Sequence, residues 1–193
     1  MTLHPASERS APPIAEFGTG MTRDGNAIGA VTEALWHLLH RELGDVLPGI
    51  KITARSPDKA REDGADRQLN LFLYHVIEDR SRATEPLGNE NLPHLTLNLY
   101  YLVSAYGADD QEINSASHLV LAEAMRVLYR HPVIFFRPQG ASNPVSVHIA
   151  LHASNIDDLC KLWTAFQTPY QLSVVYEVSS VPVGDAMPTN LSG

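Results

Sequence analysis

The sequence contains a single cysteine, Cys160, among its 193 residues. One thiol can form neither an internal disulfide nor a thiolate cluster for a metal, so disulfide stapling is excluded. No run of about 18 apolar residues is present, which is the length that a membrane-spanning helix needs. The first residues also lack the basic segment and apolar run of a secretory signal. We therefore expect a protein of the cytoplasm with no membrane partner.

Positive charge is also scarce, since 14 lysines and arginines stand against 22 acidic residues and give a net charge of −8. This balance provides no electrostatic footprint for DNA or RNA, so nucleic acid is not expected as a partner. With 44% hydrophobic residues, the chain can bury one full core. A single domain is the simplest interpretation.

The motifs of common active sites and cofactor sites are missing. The sequence has no G-x-S-x-G elbow, no phosphate-binding glycine loop and no H-E-x-x-H zinc pattern. His148 and His152 share a strand face but lie about 13 Å apart at 3.3 Å per residue. His37 and His40 could approach one ion on a helix, yet no third ligand accompanies them. We predict no catalytic residue, no cofactor, no metal and no small-molecule substrate, so the protein is not expected to be an enzyme.

The two ends of the chain differ from its middle. Residues 1–24 mix proline and glycine with small polar residues and show no hydrophobic period, which predicts a flexible N-terminal arm. Residues 182–193 have the same character and are predicted to form a flexible C-terminal tail. The folded domain is expected at 25–181.

Three stretches inside the domain have helical period. The first covers 26–43, with Gly44 just past its end, and the second covers 115–129. The third begins at Ser154, whose spacing to Asp157 resembles a capping box. Its apolar stripe includes Cys160 and Trp163, so the thiol is predicted to be packed in the core.

Five stretches alternate with period two or have strand character: 50–54, 69–74, 95–104, 145–152 and 172–179. Alternation predicts a sheet with one packed and one exposed face, which favours antiparallel pairing. The fold class is therefore α+β, with a mainly antiparallel sheet of about five strands and three helices on its leucine-rich face.

The face opposite the leucines combines polar and aromatic side chains, including Phe72, Leu102 and His152. Tyrosine with asparagine is typical of protein interfaces, although a solvated sheet face has similar residues. Both interpretations stay open on the residues alone. The candidate partner-interface residues are Asn70, Tyr74, Asn98, Tyr100, Tyr106, His148 and Glu177.

An ordered series of motifs connects the chain with a known family. The most specific are L-N-L-F-L-Y at 69–74, Y-L-V-S-A-Y-G at 101–107 and P-Y-Q-L-S-V-V-Y at 169–176. They are accompanied by A-I-G-A-V-T-E-A-L at 27–35, H-L-V-L-A-E-A-M-R-V-L at 118–128 and D-D-L-C-K-L-W at 157–163. Together they resemble the N-terminal domain of tail cap proteins from extracellular contractile injection systems, the virulence-cassette and antifeeding-prophage particles.

The resemblance implies a fold like that of phage tail terminators and a structural role. Such proteins form a sixfold ring at the tail end distal to the baseplate, where they touch inner tube and contractile sheath. The expected partners are therefore further copies of the chain, tube and sheath. Ring contacts are expected from at least one of the loops at 78–93 and 106–114, from the termini and from the sheet. Some relatives continue beyond this domain, and the arm of about 24 residues before the first helix is longer than the resemblance leads us to expect. The alternative is a ligand-binding or enzymatic α+β domain without a recognisable motif.

Overall fold

The computed structural model describes residues 27–61, 65–80, 95–107, 115–137 and 144–183. The predicted arm, nearly all of the tail, and most of the loops at 78–93 and 106–114 lie outside these ranges. The elements in chain order are α1 (Ala27–Val46), β1 (Lys51–Thr53), β2 (Arg67–Glu78), β3 (Leu95–Gly107), α2 (Ser115–Arg130), β4 (Val133–Phe136), β5 (Val145–His152), α3 (Ile156–Ala165) and β6 (Ser173–Val183).

The strands form one sheet in the order β1-β2-β3-β6-β5-β4. Every neighbouring pair is antiparallel except β1 with β2, which is parallel. The predicted α+β class and mainly antiparallel sheet are confirmed. The sheet has six strands instead of about five, because β4 is too short for its alternation to show in the sequence. Strand β6 also reaches Val183, two residues past the predicted end of the domain.

Helices α1 and α2 cover the first face of the sheet and form the main core with it. The leucine-rich rows predicted to face the helices do so. Buried residues from α1 are Val31, Leu35, Leu38, Leu39 and Leu43, those from α2 are Val120, Leu121, Ala124, Val127 and Leu128, and the sheet adds Leu69, Leu71, Leu99, Tyr101, Val103, Val147 and Val178. Full burial of a leucine or valine contributes about 1.5–3 kcal/mol, so this layer is the main source of stability.

The end of α1 corrects a sequence prediction. Gly44 lies inside the helix, which continues to Val46. The chain turns instead at Gly49, whose φ of 80° is the left-handed conformation that glycine adopts without strain. Leu47 is 3% exposed, and its amide donates to the Leu43 carbonyl at 2.7 Å. Burial of this leucine extends the helix beyond the glycine that local propensity would favour as its end.

Helix α3 lies on the second face of the sheet, so the prediction that all three helices share one face is wrong. Its Leu159 and Trp163 pack with Leu102, Tyr106 and Val175 in a separate buried cluster. The Trp163 side chain is 2% exposed, and its indole N–H donates to Ser173 Oγ at 3.2 Å. Periodicity predicts which side of α3 is apolar, but it does not predict which face of the sheet that side packs against.

The phase and cap of α3 also differ from expectation. Cys160 is exposed, so it is not a core residue, whereas Leu162 packs against the buried cluster. The N-cap is Asn155, whose side-chain oxygen accepts from the Asp158 amide at 2.8 Å, in place of the predicted Ser154. The stripe is therefore rotated away from Cys160.

Replacement of Trp163 by alanine should destabilise the domain by about 3–5 kcal/mol, because it removes a buried indole and leaves a cavity. The midpoint of denaturant unfolding measures this effect. Ile156→Ala on the same helix is the matched control, since Ile156 is 58% exposed. Equal midpoints for the two variants would contradict the placement of α3.

Candidate interface on the open sheet face

Only part of the second face is covered. Helix α3 packs over the middle of the sheet, and the segment after β1 contributes the buried Ala60 to the same cluster. The part of the second face that these two elements leave uncovered is a surface that we call the open face. Its residues are His75, Ile77, Asn98, Tyr100, Val133, Phe135, His148, His152 and Glu177. The cross-strand partners His75 with Tyr100, Tyr100 with Glu177, and Val133 with His148 establish that these side chains share one face.

A β-bulge in β2 decides which side chains reach the open face. Leu73 pairs with Tyr101 and His75 pairs with Tyr100, so Tyr74 is the extra residue on β2. The bulge reverses the alternation that follows it and turns His75 and Ile77 toward the open face. Tyr74 packs instead against the cluster around Trp163. Tyr74 thus lies on the second face, as an unbroken period of two predicts, with its ring 6.3 Å from that of His75; the same period had missed His75 and Ile77.

Tyr100 lies at the border between the open face and the Trp163 cluster, because it is 9% exposed and belongs to that cluster. Its ring is 5.6 Å from that of His75 and 5.0 Å, edge to face, from that of His152, measured between centroids. His152 Nδ1 lies 3.6 Å from Glu177 Oε2. These aromatic and charged groups come from four adjacent strands and thus form one continuous surface.

Burial raises the pKa of Tyr100, and the nearby Glu177 carboxylate raises it further. The phenol therefore stays protonated at neutral pH and remains a hydrogen-bond donor. Burial also raises the pKa of Tyr74, with a smaller contribution from Asp158. The open face presents neutral aromatic groups beside histidine and carboxylate, which suits contact with another protein surface.

Asn98 has a structural task at the edge of this surface. Its side-chain oxygen accepts from the Ser180 amide at 3.4 Å. Ser180 has a φ of 66° and lies in a second bulge, where β6 shifts register opposite Leu97 and Leu99. The side-chain amide of Asn98 thus stabilises the unfavourable backbone conformation of Ser180. Asn98 therefore has a structural role in addition to its predicted interface role.

Asn70, a predicted interface residue, is fully buried, so its side chain does not lie on the open face. Its side-chain oxygen accepts from Thr53 Oγ1 at 2.8 Å and from the Arg55 amide at 3.0 Å. Its side-chain nitrogen donates to the Arg55 carbonyl at 2.9 Å. The amide therefore holds the segment after β1 against the sheet. In an unpartnered edge strand the same asparagine would have faced solvent.

Tyr106 is also removed from the candidate interface, because it is only 6% exposed and packs in the Trp163 cluster. The Arg61 guanidinium lies 5.7 Å from its ring centroid.

His148 is exposed on the open face, as predicted. Phe135 next to it was missed, because its strand was not predicted, and it is 38% exposed.

A metal centre in the described part of the chain would need a converging set of ligand side chains. No group of three or more His, Cys, Asp or Glu side chains within those ranges could hold a metal ion. His37 and His40 are both exposed on α1, where Trp36 stacks on His40 with centroids 4.8 Å apart. None of the described helices is long and apolar enough to cross a membrane.

Residues 30–191 match the family model described as the Pvc16 N-terminal domain. The chain belongs to this family. The match covers both core faces and the open face, so the open face is part of the family's domain and not an addition to it. No curated protein matches the chain.

Two solved structures have a similar fold. One is the sheath/tube terminator of the PVC extracellular contractile injection system in its extended state, with 20% identity and a TM-score of 0.58 over 86% of this chain. The other is the tube-terminating cap of the anti-feeding prophage, with 19% identity and a TM-score of 0.54 over 84% of this chain. The likeness covers 61% and 59% of those longer chains. It shows that the domain has the fold found in these terminators.

The buried tyrosines predict an alkaline loss of stability. Burial raises the pKa of Tyr101 and Tyr176 as well as those of Tyr74, Tyr100 and Tyr106, so folding favours the protonated phenols. This contribution is fully present below the ordinary value of about 10 and is lost as pH rises through the raised pKa values. The thermal midpoint should therefore fall as the pH rises above about 10.

Tyr101→Phe tests the residue-level cause of that loss. Tyr101 is fully buried, and its hydroxyl pairs with Thr32 Oγ1 at 2.8 Å. The variant removes an ionisable group, so its midpoint should fall less steeply with pH even if it is lower at neutral pH. An unchanged alkaline slope would contradict the assignment.

Proposed function

We propose that this chain is a non-catalytic structural subunit that closes the tube and sheath of a contractile injection system at the end distal to the baseplate. Membership of the Pvc16 N-terminal domain family across residues 30–191 is the observation that carries the proposal. The fold shared with a sheath/tube terminator and a tube-terminating cap supports it. The partners are tube and sheath subunits, and the protein acts within a tail-like particle assembled in the cytoplasm.

The copy number in this proposal is six. A closed ring requires a heterologous interface, in which one surface of a subunit meets a different surface of its neighbour. The domain offers two unlike faces, since α1 and α2 cover the first and leave the second partly open. The open face can therefore serve one contact while another part of the subunit serves the second. A ring that forms only on a tail needs weak self-contacts strengthened by the template.

The open face is suited to recognition of tube, sheath or a neighbour. Tyr100 is largely buried against its neighbours and so is held in place before a partner binds, which lowers the entropy cost of docking. His75 and His152 contact its ring, and His148 and Phe135 are exposed farther along the open face. A rigid aromatic centre with polar groups around it is the usual anatomy of an interface.

Cells that produce the particle without this chain test the function. We expect tails of abnormal length or with unclosed, unstable sheaths in electron micrographs, and recovery when the wild-type chain is restored. Tails of normal length with normally closed ends would refute the capping role.

Charge reversal on the open face tests where docking occurs. The double variant His75→Glu and His148→Glu should lower incorporation into particles about tenfold or more, because two carboxylates would join Glu177 on an aromatic surface. The matched control is His37→Glu with His118→Glu, which changes two exposed histidines on α1 and α2. Immunoblots of purified particles measure incorporation. Equal losses in both variants would contradict a role specific to the open face.

A further inference from the structure

Strand β4 forms one margin of the sheet and borders the open face. It pairs with β5 on one side, and no described strand lies on its other side. Phe135 is 38% exposed on this strand, and Arg137, which follows it, is also exposed. A sheet edge with an exposed aromatic side chain is a template for an additional strand.

The hydrogen-bond phase of β4 shows which backbone groups are available. The Ile149 amide donates to the Pro132 carbonyl at 2.8 Å. In an antiparallel ladder every second residue pair is hydrogen-bonded. The next hydrogen-bonded pair after Pro132 and Ile149 is therefore Ile134 with Val147, so the N–H and C=O groups of Ile134 point toward β5. Val133 and Phe135 consequently direct their N–H and C=O groups away from the sheet. These outward groups form the row that a further strand would pair with.

The opposite margin of the sheet is partly closed. Strand β1 has only three residues, and the Ile52 carbonyl already accepts a hydrogen bond from Trp36 Nε1 at 3.0 Å. Lys51 on the same strand is exposed, and a charged side chain discourages pairing at an edge. The two margins therefore differ, and β4 is the one suited to strand addition.

We propose that residues 14–17 of a neighbouring copy add to β4 as a seventh strand, an inference that rests on the ring described under Proposed function. These four residues, Ile-Ala-Glu-Phe, lie between Pro13 and Gly18 and match the four residues of β4 in length. Proline and glycine limit a strand at both ends. In the proposed pairing, the Glu16 carboxylate complements the charge of the exposed Arg137 that follows β4.

The length of chain before α1 permits this contact. Twenty-six residues precede Ala27, and an extended chain of that length reaches at most about 85 Å, well beyond one domain diameter. Strand addition between copies joins two different surfaces, a terminal segment and a sheet edge. It thus meets the heterologous requirement of a closed ring.

Disulfide cross-linking between two tagged chains tests the proposal. Both carry Cys160→Ser, which removes the exposed native thiol. One carries Val133→Cys and the other carries Ala15→Cys or, in a separate experiment, Glu16→Cys. After co-production and oxidation, doubly tagged dimers should exceed those of a control with Ala122→Cys on α2 by about tenfold, because strand pairing holds the thiols at high effective concentration.

The pattern of linking distinguishes pairing from collision. Neighbouring residues of a strand point to opposite faces, so one of positions 15 and 16 should link strongly and the other weakly. Equal linking at both positions, yields no higher than the Ala122 control, or links formed only within one chain would overturn the proposal. The imaging of cells lacking the chain tests the capping function separately. If those cells have unclosed tails but the cross-link does not form, the capping function stands and strand addition is rejected. If the cross-link forms but those cells have normal tails, strand addition stands and the capping function is rejected.

Phe135→Pro gives an independent reading. It removes the aromatic side chain and the outward N–H but leaves the β4–β5 bonds of Ile134 in place. The cross-link between positions 133 and 15 or 16 should fall about tenfold, with little change in the thermal midpoint. Full retention of the cross-link would contradict pairing at this edge.

Discussion

The structure depends on the burial of β3 from both sides. From Thr96 to Gly107 every residue of this strand except Asn98 is buried. Its first face packs under α1 and α2, while Leu102 and Tyr106 on its second face pack under α3 and the segment after β1. A strand enclosed in this way fixes the register of β2 and β6 on either side, since a one-residue slip would exchange the two sets of side chains. The position of the open face follows from that register.

Much of the architecture could be predicted from alternation and helical period, because these record which side chains avoid water. These periods do not predict which face of the sheet a helix covers. The stripe of α3 fits either face, and the choice depends on tertiary partners such as Ser173, which accepts from Trp163. Gly44 is a second example, since burial of Leu47 outweighs a local preference for ending the helix.

The candidate site shows the same limit at single residues. Period two assigned Tyr100, His148 and Glu177 to the second face correctly, but it fails at a bulge, beyond which it missed His75. Asn70 was misplaced for another reason: whether a polar side chain meets solvent or a loop depends on where that loop folds. The carbonyl and amide of Arg55 lie close enough to satisfy the asparagine inside the protein, so its polarity serves the fold.

The unequal margins of the sheet have a consequence for assembly. A sheet with two open edges of matching length can pair edge to edge without limit, and such pairing leads to fibres or aggregates. At the β1 edge, the Ile52 carbonyl already accepts a hydrogen bond from Trp36 Nε1, and β1 itself is short. Among the described strands, β1 is therefore a poor partner for the outward groups of β4, and an extended segment of limited length is the occupant that we propose. Such a contact adds one strand per subunit, and it gives a closed ring when the rotation between neighbouring subunits closes after six copies.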